Sequence, residues 1–239
     1  MAGREGPAVD RDAVWQHVHE QRAALADVLE GLGPDEWDHP SLCAGWKVRD
    51  VAAHVISSPQ SGLGTVSVAM LRAKGNFNRC ILDEGKRAGI RPTAQILADY
   101  RQYAGSRRRP PGTTYLDPLI DVLVHTQDIV VPLGRQHDMP PAAACAAAGR
   151  VWGTSFPFRA RKNLAGLRLV ASDVAWSVGD GPAVHGPMAS FLLVLTGRPA
   201  GLAGLTGEGV PLLSERLARS AAAPQRRSPP PRTPAPPQR

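Results

Sequence analysis

Apolar residues recur at helical spacing through most of the first 157 residues of the chain. Residues 14–32 carry one apolar stripe, in a segment that Asp10 and Asp12 open and two glycines close. Residues 48–56 carry a second stripe, which ends before Pro59. Because this spacing places apolar side chains on one face of a helix, both segments are predicted to be amphipathic helices. Further helices are predicted over residues 61–74, 93–103, 115–133 and 140–156.

The pattern changes after Pro157. Short apolar segments between residues 167 and 178 predict two strands, and a turn follows at Gly179-Asp180-Gly181. Two further helices are predicted over residues 187–195 and 210–217. We therefore expect an α+β chain, with a helical bundle over residues 1–157 and a small α+β domain over residues 158–218.

The positive charge of the chain lies mainly at its C-terminal end. Residues 219–239 hold five arginines, many prolines and no acidic residue, whereas the first 218 residues hold 23 basic and 21 acidic residues. A segment with so few apolar side chains cannot offset its ordering entropy, so we expect residues 219–239 to be disordered. This tail is either a solvated extension or an arm for RNA, membranes or protein partners. The nearly neutral remainder argues against a nucleic-acid-binding surface.

The N-terminal residues contain no apolar signal segment, and the longest strongly apolar run, residues 191–195, is too short to cross a bilayer. We therefore expect a cytoplasmic protein without a membrane partner. The three cysteines, Cys43, Cys80 and Cys145, show no C-x-x-C spacing. They are interpreted as free thiols, because neither a disulfide framework nor a thiolate zinc site is indicated.

Two histidines, His54 and His125, lie in predicted helices among apolar neighbours. Asp121 precedes His125 by four residues, which places both side chains on one helical face about one turn apart. If His54 faces this pair across the bundle, two imidazoles and a carboxylate form a three-ligand zinc site with an open position for catalysis. Alternatively, the histidines are hydrogen-bonded core residues and Asp121 is an ion-pair partner of His125. Asp128 and Asp50 either orient the two imidazoles or face solvent.

The stretch EWDHPSLCAGWKVRDVAAHV, residues 36–55, resembles the N-terminal metal-binding motif of the mycothiol-dependent maleylpyruvate isomerase family. That family is part of the wider group of DinB-like four-helix bundles. The stretch LIDVLVHTQDIVVPLG, residues 119–134, is similar to the family's second motif, in which a carboxylate precedes a histidine by four residues. The segments GLRLVASDVAWSVGDG, VHGPMASFLLVLTGR and LTGEGVPLL resemble its small C-terminal domain. The resemblance covers nearly all of the chain except the first residues and the tail.

The resemblance implies a zinc ion held by His54, Asp121 and His125, the three residues that the spacing argument also selects. Well-characterised members have glutamate at the position of Asp121, so the shorter side chain must approach from a closer backbone or bind less well. The resemblance also implies an arginine that holds a substrate carboxylate, and Arg198 is the best match. The alternative for Arg198 is a cation that stabilises a helix C-terminus.

By resemblance, the thiol cosubstrate is mycothiol and the second substrate is a small electrophilic, unsaturated carboxylate. Zinc favours the thiolate form of a bound thiol, and the thiolate is then a nucleophile at neutral pH. The first hypothesis is therefore a zinc- and thiol-dependent isomerase or S-transferase. The second is a non-catalytic metal- or ligand-binding protein with a relaxed site. The third is a nucleic-acid- or protein-binding module that works through the tail.

Overall fold

The structure is a computed structural model that describes residues 10–222. Its helices and strands follow the chain order of a long helical part and a short mixed part. The first helices are α1 (Arg11–Glu30), α2 (Pro34–Trp37), α3 (Val48–Ser57), α4 (Leu63–Arg72), α5 (Phe77–Gly89) and α6 (Thr93–Tyr103). They are followed by α7 (Asp117–Val130), α8 (Pro141–Gly153), α9 (Ala160–Asn163), β1 (Arg168–Ala171), β2 (Ser177–Val178), β3 (Ala183–Gly186), α10 (Met188–Leu195) and α11 (Val210–Ala222).

Four long helices form the bundle that the apolar stripes predict. Helices α1 and α3 each pack against both α6 and α7. The contact is apolar: Leu25 of α1, Val51 of α3, Ile96 of α6 and Ile129 of α7 belong to one buried cluster. Helix α5 packs along the other side of α3. Removal of these side chains from water is the main force that holds the helices together.

The C-terminal part is a three-stranded sheet covered by helices, which confirms the α+β class. The strand order is β2-β1-β3. Strand β1 pairs antiparallel with β2, where Leu169 faces Val178, and parallel with β3, where Leu169 faces Val184. These three side chains are buried and point to the same face of the sheet, where the apolar helix α10 lies.

One apolar cluster crosses the predicted domain boundary. Helix α8 packs against α7 on one side and α10 on the other. Val14, Leu123 and Ala147 from the helical part share this cluster with Leu169 and Phe191 from the mixed part. The two parts therefore pack through a common core, and the division at residue 158 stays a prediction.

The structure differs from the sequence-based expectation at several elements. Helices α2, α5 and α9 were not predicted, and neither was β3, which adds the parallel strand pair. Helix α11 continues through Ala222 and so enters the segment that was predicted to be disordered from residue 219. The rest of that segment, residues 223–239, lies outside the described residues. Within residues 10–222, no helix is both long enough and apolar enough to span a bilayer.

Candidate metal site

The bundle places His54 and the pair Asp121 and His125 on facing helices. His54 lies in the last turn of α3, whose start is fixed by the Asp50 carboxylate, which accepts a hydrogen bond from the Lys47 backbone N–H at 3.0 Å. Asp121 and His125 lie one turn apart on α7. Because α3 packs directly on α7, the three side chains project into one space.

The three side chains converge on one carboxylate oxygen. Asp121 Oδ1 lies 3.3 Å from His54 Nε2 and 3.3 Å from His125 Nε2. The two imidazole rings stand nearly perpendicular, at 86°, with centroids 5.1 Å apart. The side chains are 20%, 23% and 14% exposed for His54, Asp121 and His125, so an ion or a small ligand can reach them. The structure thus brings together the three residues that the sequence selected.

The donor set fits a zinc ion. Zinc binds imidazole nitrogen and carboxylate oxygen at about 2.0–2.2 Å in a tetrahedral arrangement, which separates neighbouring ligand atoms by about 3.4 Å. The nitrogen-to-oxygen distances of 3.3 Å in the cluster agree with that separation. Three protein ligands leave one tetrahedral position open, as in catalytic zinc sites. The shorter aspartate therefore reaches both histidines in this fold.

The indole of Trp46 forms one wall of the site. Its ring centroid lies 5.1 Å from that of His54 and 6.2 Å from that of His125. Trp46 is 5% exposed, and its Nε1 donates a hydrogen bond to the Leu82 carbonyl of α5 at 3.3 Å. The indole therefore packs against both candidate histidine ligands.

The electrostatics of the cluster favour a charged Asp121 carboxylate beside a protonated His125 imidazole. Burial alone would raise the pKa of Asp121, but the charges and hydrogen bonds of His54 and His125 outweigh it and hold that pKa well below its usual range. Burial alone would lower the pKa of His125, but hydrogen bonds to Asp121 and Asp128 outweigh it and raise that pKa well above its usual value.

Asp128 is buried and contacts His125. Of its two interpretations, orientation of an imidazole or exposure to solvent, the structure supports the first. Its side chain is 0% exposed, and its Oδ2 accepts a hydrogen bond from His125 Nδ1 at 2.8 Å. This contact places a hydrogen on Nδ1 and leaves Nε2 to face the other two ligands. Asp50, in contrast, caps α3 and neither faces solvent nor bonds to His54.

Arg198 lies at the same cluster but contacts a carboxylate of the chain itself. Its Nε and Nη2 lie 3.1 and 2.8 Å from the two carboxylate oxygens of Asp128. Its Nη1 donates to the Thr196 carbonyl at the C-terminal end of α10, at 2.7 Å. The predicted contact with a substrate carboxylate stays a prediction.

Cys43 is the residue that sequence reasoning did not associate with the site. Its Sγ lies 3.1 Å from Asp128 Oδ2 and 3.7 Å from His125 Nδ1, so these three residues form a second group of potential metal ligands. However, Arg198 Nη2 lies 2.8 Å from the same oxygen of Asp128 and 3.6 Å from the sulfur. A second cation would be repelled there, so the first group is the better candidate for a metal site. Cys43 lies in the loop before α3, far from α7 in the sequence, so no residue spacing could indicate this contact.

Comparisons with known proteins give a matching family model and a similar fold. The family model described as mycothiol maleylpyruvate isomerase N-terminal domain matches residues 18–130, a range that includes His54, Asp121 and His125. The fold is similar to the crystal structure of the mycothiol-dependent maleylpyruvate isomerase, with a TM-score of 0.58 and 13% sequence identity. That match covers 84% of this chain and 93% of the other chain, and a histidine-to-alanine mutant of that enzyme gives the same values.

A search of curated proteins found no match. At 13% identity the crystal structures establish the fold. The resemblance expected from the sequence is confirmed over the helical part, where residues 18–130 match the model of the mycothiol maleylpyruvate isomerase N-terminal domain.

Proposed function

We propose that this chain is a zinc- and thiol-dependent isomerase or S-transferase, with zinc held by His54, Asp121 and His125. The observation that carries this proposal is the approach of both histidine Nε2 atoms to the same Asp121 oxygen, at 3.3 Å each. The donor types and their separation suit zinc, and three protein ligands leave room for a thiol. By its family, the thiol is mycothiol. The second substrate is a small electrophilic, unsaturated carboxylate.

The ion supplies a positive charge that favours the thiolate form of the thiol. The residues of the chain hold and orient this centre. Asp128 keeps a proton on His125 Nδ1, so that His125 Nε2 presents its lone pair to the ion. The Trp46 indole covers one side of both imidazoles and limits the access of water from that side.

The reaction follows from the nucleophilic sulfur. In an isomerisation, the thiolate adds to one carbon of the double bond, and the electron pair of the double bond moves towards the neighbouring carbonyl group. Rotation about the resulting single bond and expulsion of the thiolate return the double bond in the other configuration. In an S-transfer, the sulfur either remains attached while the neighbouring carbon takes up a proton from water, or it displaces a leaving group that departs with its electron pair. Because one scaffold can host different substrates, the fold alone does not choose between these outcomes.

The first test is the zinc content of the wild type and of His125→Ala, purified without chelators and measured by elemental analysis. His185→Ala is the matched control, because His185 lies on β3 with an exposed side chain. We expect about one zinc per chain in the wild type and in His185→Ala, and a marked loss in His125→Ala. A wild type that holds no zinc, even after zinc is added back, would contradict the proposal.

Thiol-dependent turnover separates an enzyme from a binding protein of the same fold. The zinc-loaded wild type is incubated with mycothiol and a panel of cis-unsaturated diacids, and isomerisation and thioether formation are both followed. We expect turnover that requires the thiol and is lost in His125→Ala. Zinc binding without thiol-dependent turnover of any electrophile would instead support a non-catalytic metal-binding protein.

A further inference from the structure

A buried ion pair joins the C-terminal part of the chain to the candidate metal site. Asp128 of α7 is 0% exposed, and Arg198 follows α10 with a side chain that is 16% exposed. The guanidinium meets the carboxylate through two nitrogens, Nε to Oδ1 and Nη2 to Oδ2. Such a two-pronged contact fixes the orientation of the carboxylate as well as its position.

The orientation of this carboxylate determines the hydrogen bond to the metal ligand. Asp128 Oδ2 accepts from His125 Nδ1 at 2.8 Å, from Arg198 Nη2 at 2.8 Å and from Cys43 Sγ at 3.1 Å. The backbone of the same residue is held too, because its carbonyl accepts the Leu42 N–H at 3.1 Å. Without the guanidinium, the carboxylate would lose its only charged partner besides His125 among the described residues, and it would be held through Oδ2 alone, by His125 and Cys43.

The three guanidinium nitrogens of Arg198 are all used within the chain. Nε and Nη2 face Asp128, and Nη1 faces the Thr196 carbonyl. A substrate carboxylate could take the guanidinium only by sharing it with Asp128 or displacing it. The geometry therefore favours a role of Arg198 towards the protein.

We propose that Arg198 is a positioning residue for the metal ligand His125, and that it acts through Asp128. The C-terminal part of the chain thus strengthens zinc binding in the helical part. This inference rests on the proposed function, because it assigns a role towards the same ion. It differs from substrate binding by Arg198, because it acts on the ion in the absence of any substrate.

The test is a double-mutant cycle on the zinc dissociation constant, measured by competition with a chromophoric chelator and without substrate. The variants are Arg198→Met, Asp128→Asn and the double variant, and Arg216→Met is the control because this half-buried arginine donates its hydrogen bonds to the Asn163 and Ala165 carbonyls and not to the metal site. Outer contacts to a metal ligand typically change metal affinity by about 10–100-fold. We expect a weakening of that order for each single variant, no further weakening in the double variant, and no change in Arg216→Met.

Two results would overturn the inference. In the first, Arg198→Met binds zinc as tightly as the wild type and only its KM for substrate rises, as a substrate clamp predicts. In the second, the effects of the two single variants multiply, which shows that Arg198 does not act through Asp128. Arg198→Lys is included in case the methionine variant does not fold: it keeps the charge but lacks the planar pair of donors, and we expect intermediate affinity.

A metal-independent measurement separates this inference from the proposed function. The hydrogen on His125 Nδ1 is followed by NMR without added metal, as a resonance protected from exchange with water. We expect the resonance in the wild type and its loss in Arg198→Met. If the wild type binds no zinc, the proposed function fails; the positioning of His125 by Arg198 is then tested by this resonance alone, and it fails if the resonance is unchanged in Arg198→Met.

Discussion

The contact between Gly85 of α5 and Trp46 gives the sharpest stability prediction. A Cβ atom built on Gly85 would overlap Trp46 Cζ2 and lie 2.7 Å from Cη2 and 2.8 Å from Cε2. These separations are too short for carbon atoms, which meet at about 3.5–4.0 Å. Gly85→Ala therefore requires the indole or α5 to move.

The expected cost follows from two opposing effects. In a helix, replacing glycine by alanine is favourable by about 1 kcal/mol. Overpacking of a well-packed interior costs about 1–3 kcal/mol. The cost here lies in the upper part of that range, because Trp46 is 5% exposed, is bonded to the Leu82 carbonyl and rests on His54. We expect Gly85→Ala to lower the free energy of unfolding by about 1–2 kcal/mol.

Gly149→Ala is the matched control. Gly149 lies in α8 with an exposed surface, and nothing stands within 4 Å of a Cβ built there. We expect this variant to raise the free energy of unfolding by about 0.5–1 kcal/mol. Urea denaturation followed by far-UV circular dichroism measures both values. If the two variants change stability by the same amount and in the same direction, the reasoning from the α3–α5 contact is refuted.

Three other predictions concern the core, the pH dependence and the tail. Leu123→Ala removes a fully buried side chain and should cost about 2–5 kcal/mol, whereas Leu71→Ala changes a side chain that is 80% exposed and should stay within about 0.5 kcal/mol in urea denaturation. Because the raised pKa of His125 keeps its proton through neutral pH, zinc affinity should rise as pH increases towards that pKa, with proton release in calorimetry. The stability that this proton gives to the protein without zinc is fully present below the unfolded pKa of about 6.5 and is lost as pH rises through the folded pKa; pH-independent zinc affinity would contradict this assignment. Deletion of residues 223–239 should leave zinc content and melting temperature unchanged, while a loss of salt-sensitive binding to RNA or protein would favour the tail hypothesis.

The helices of the bundle could be predicted because their signal is local. An apolar stripe and a terminal residue were enough to place α3, which begins at Val48 as expected and ends at Ser57. Asp10 caps α1 with its side chain, as the sequence indicated. These features depend on residues within a few positions of one another.

Helix α5 was not predicted because its glycines serve a close packing contact that the sequence does not reveal. Gly85 and Gly89 reduce helix propensity, and a sequence reader takes such residues as breaks. In the structure they allow close approach: a Cβ on Gly89 would overlap the Asp50 carboxylate and lie 2.9 Å from its Cα. The helix is held by its packing on α3, which no local pattern reveals. Strand β3 was not predicted because it also depends on a non-local contact: it pairs in parallel with β1, and parallel strands need a crossover connection.

The candidate metal site shows where local reasoning ends. Asp121 and His125 are neighbours on one helix, so spacing alone could pair them, and His54 joined them by the assumption that the helices face each other. The contact between Asp128 and Arg198 joins residues 70 positions apart, on elements whose packing the sequence does not specify. Sequence alone therefore left Asp128 between two interpretations, and it left Arg198 between a contact with a substrate carboxylate and a cation at a helix C-terminus. A buried carboxylate is costly unless it is paired, so Asp128 is stable here only because the fold brings both His125 and Arg198 into contact with it. The fold as a whole therefore determines this part of the site.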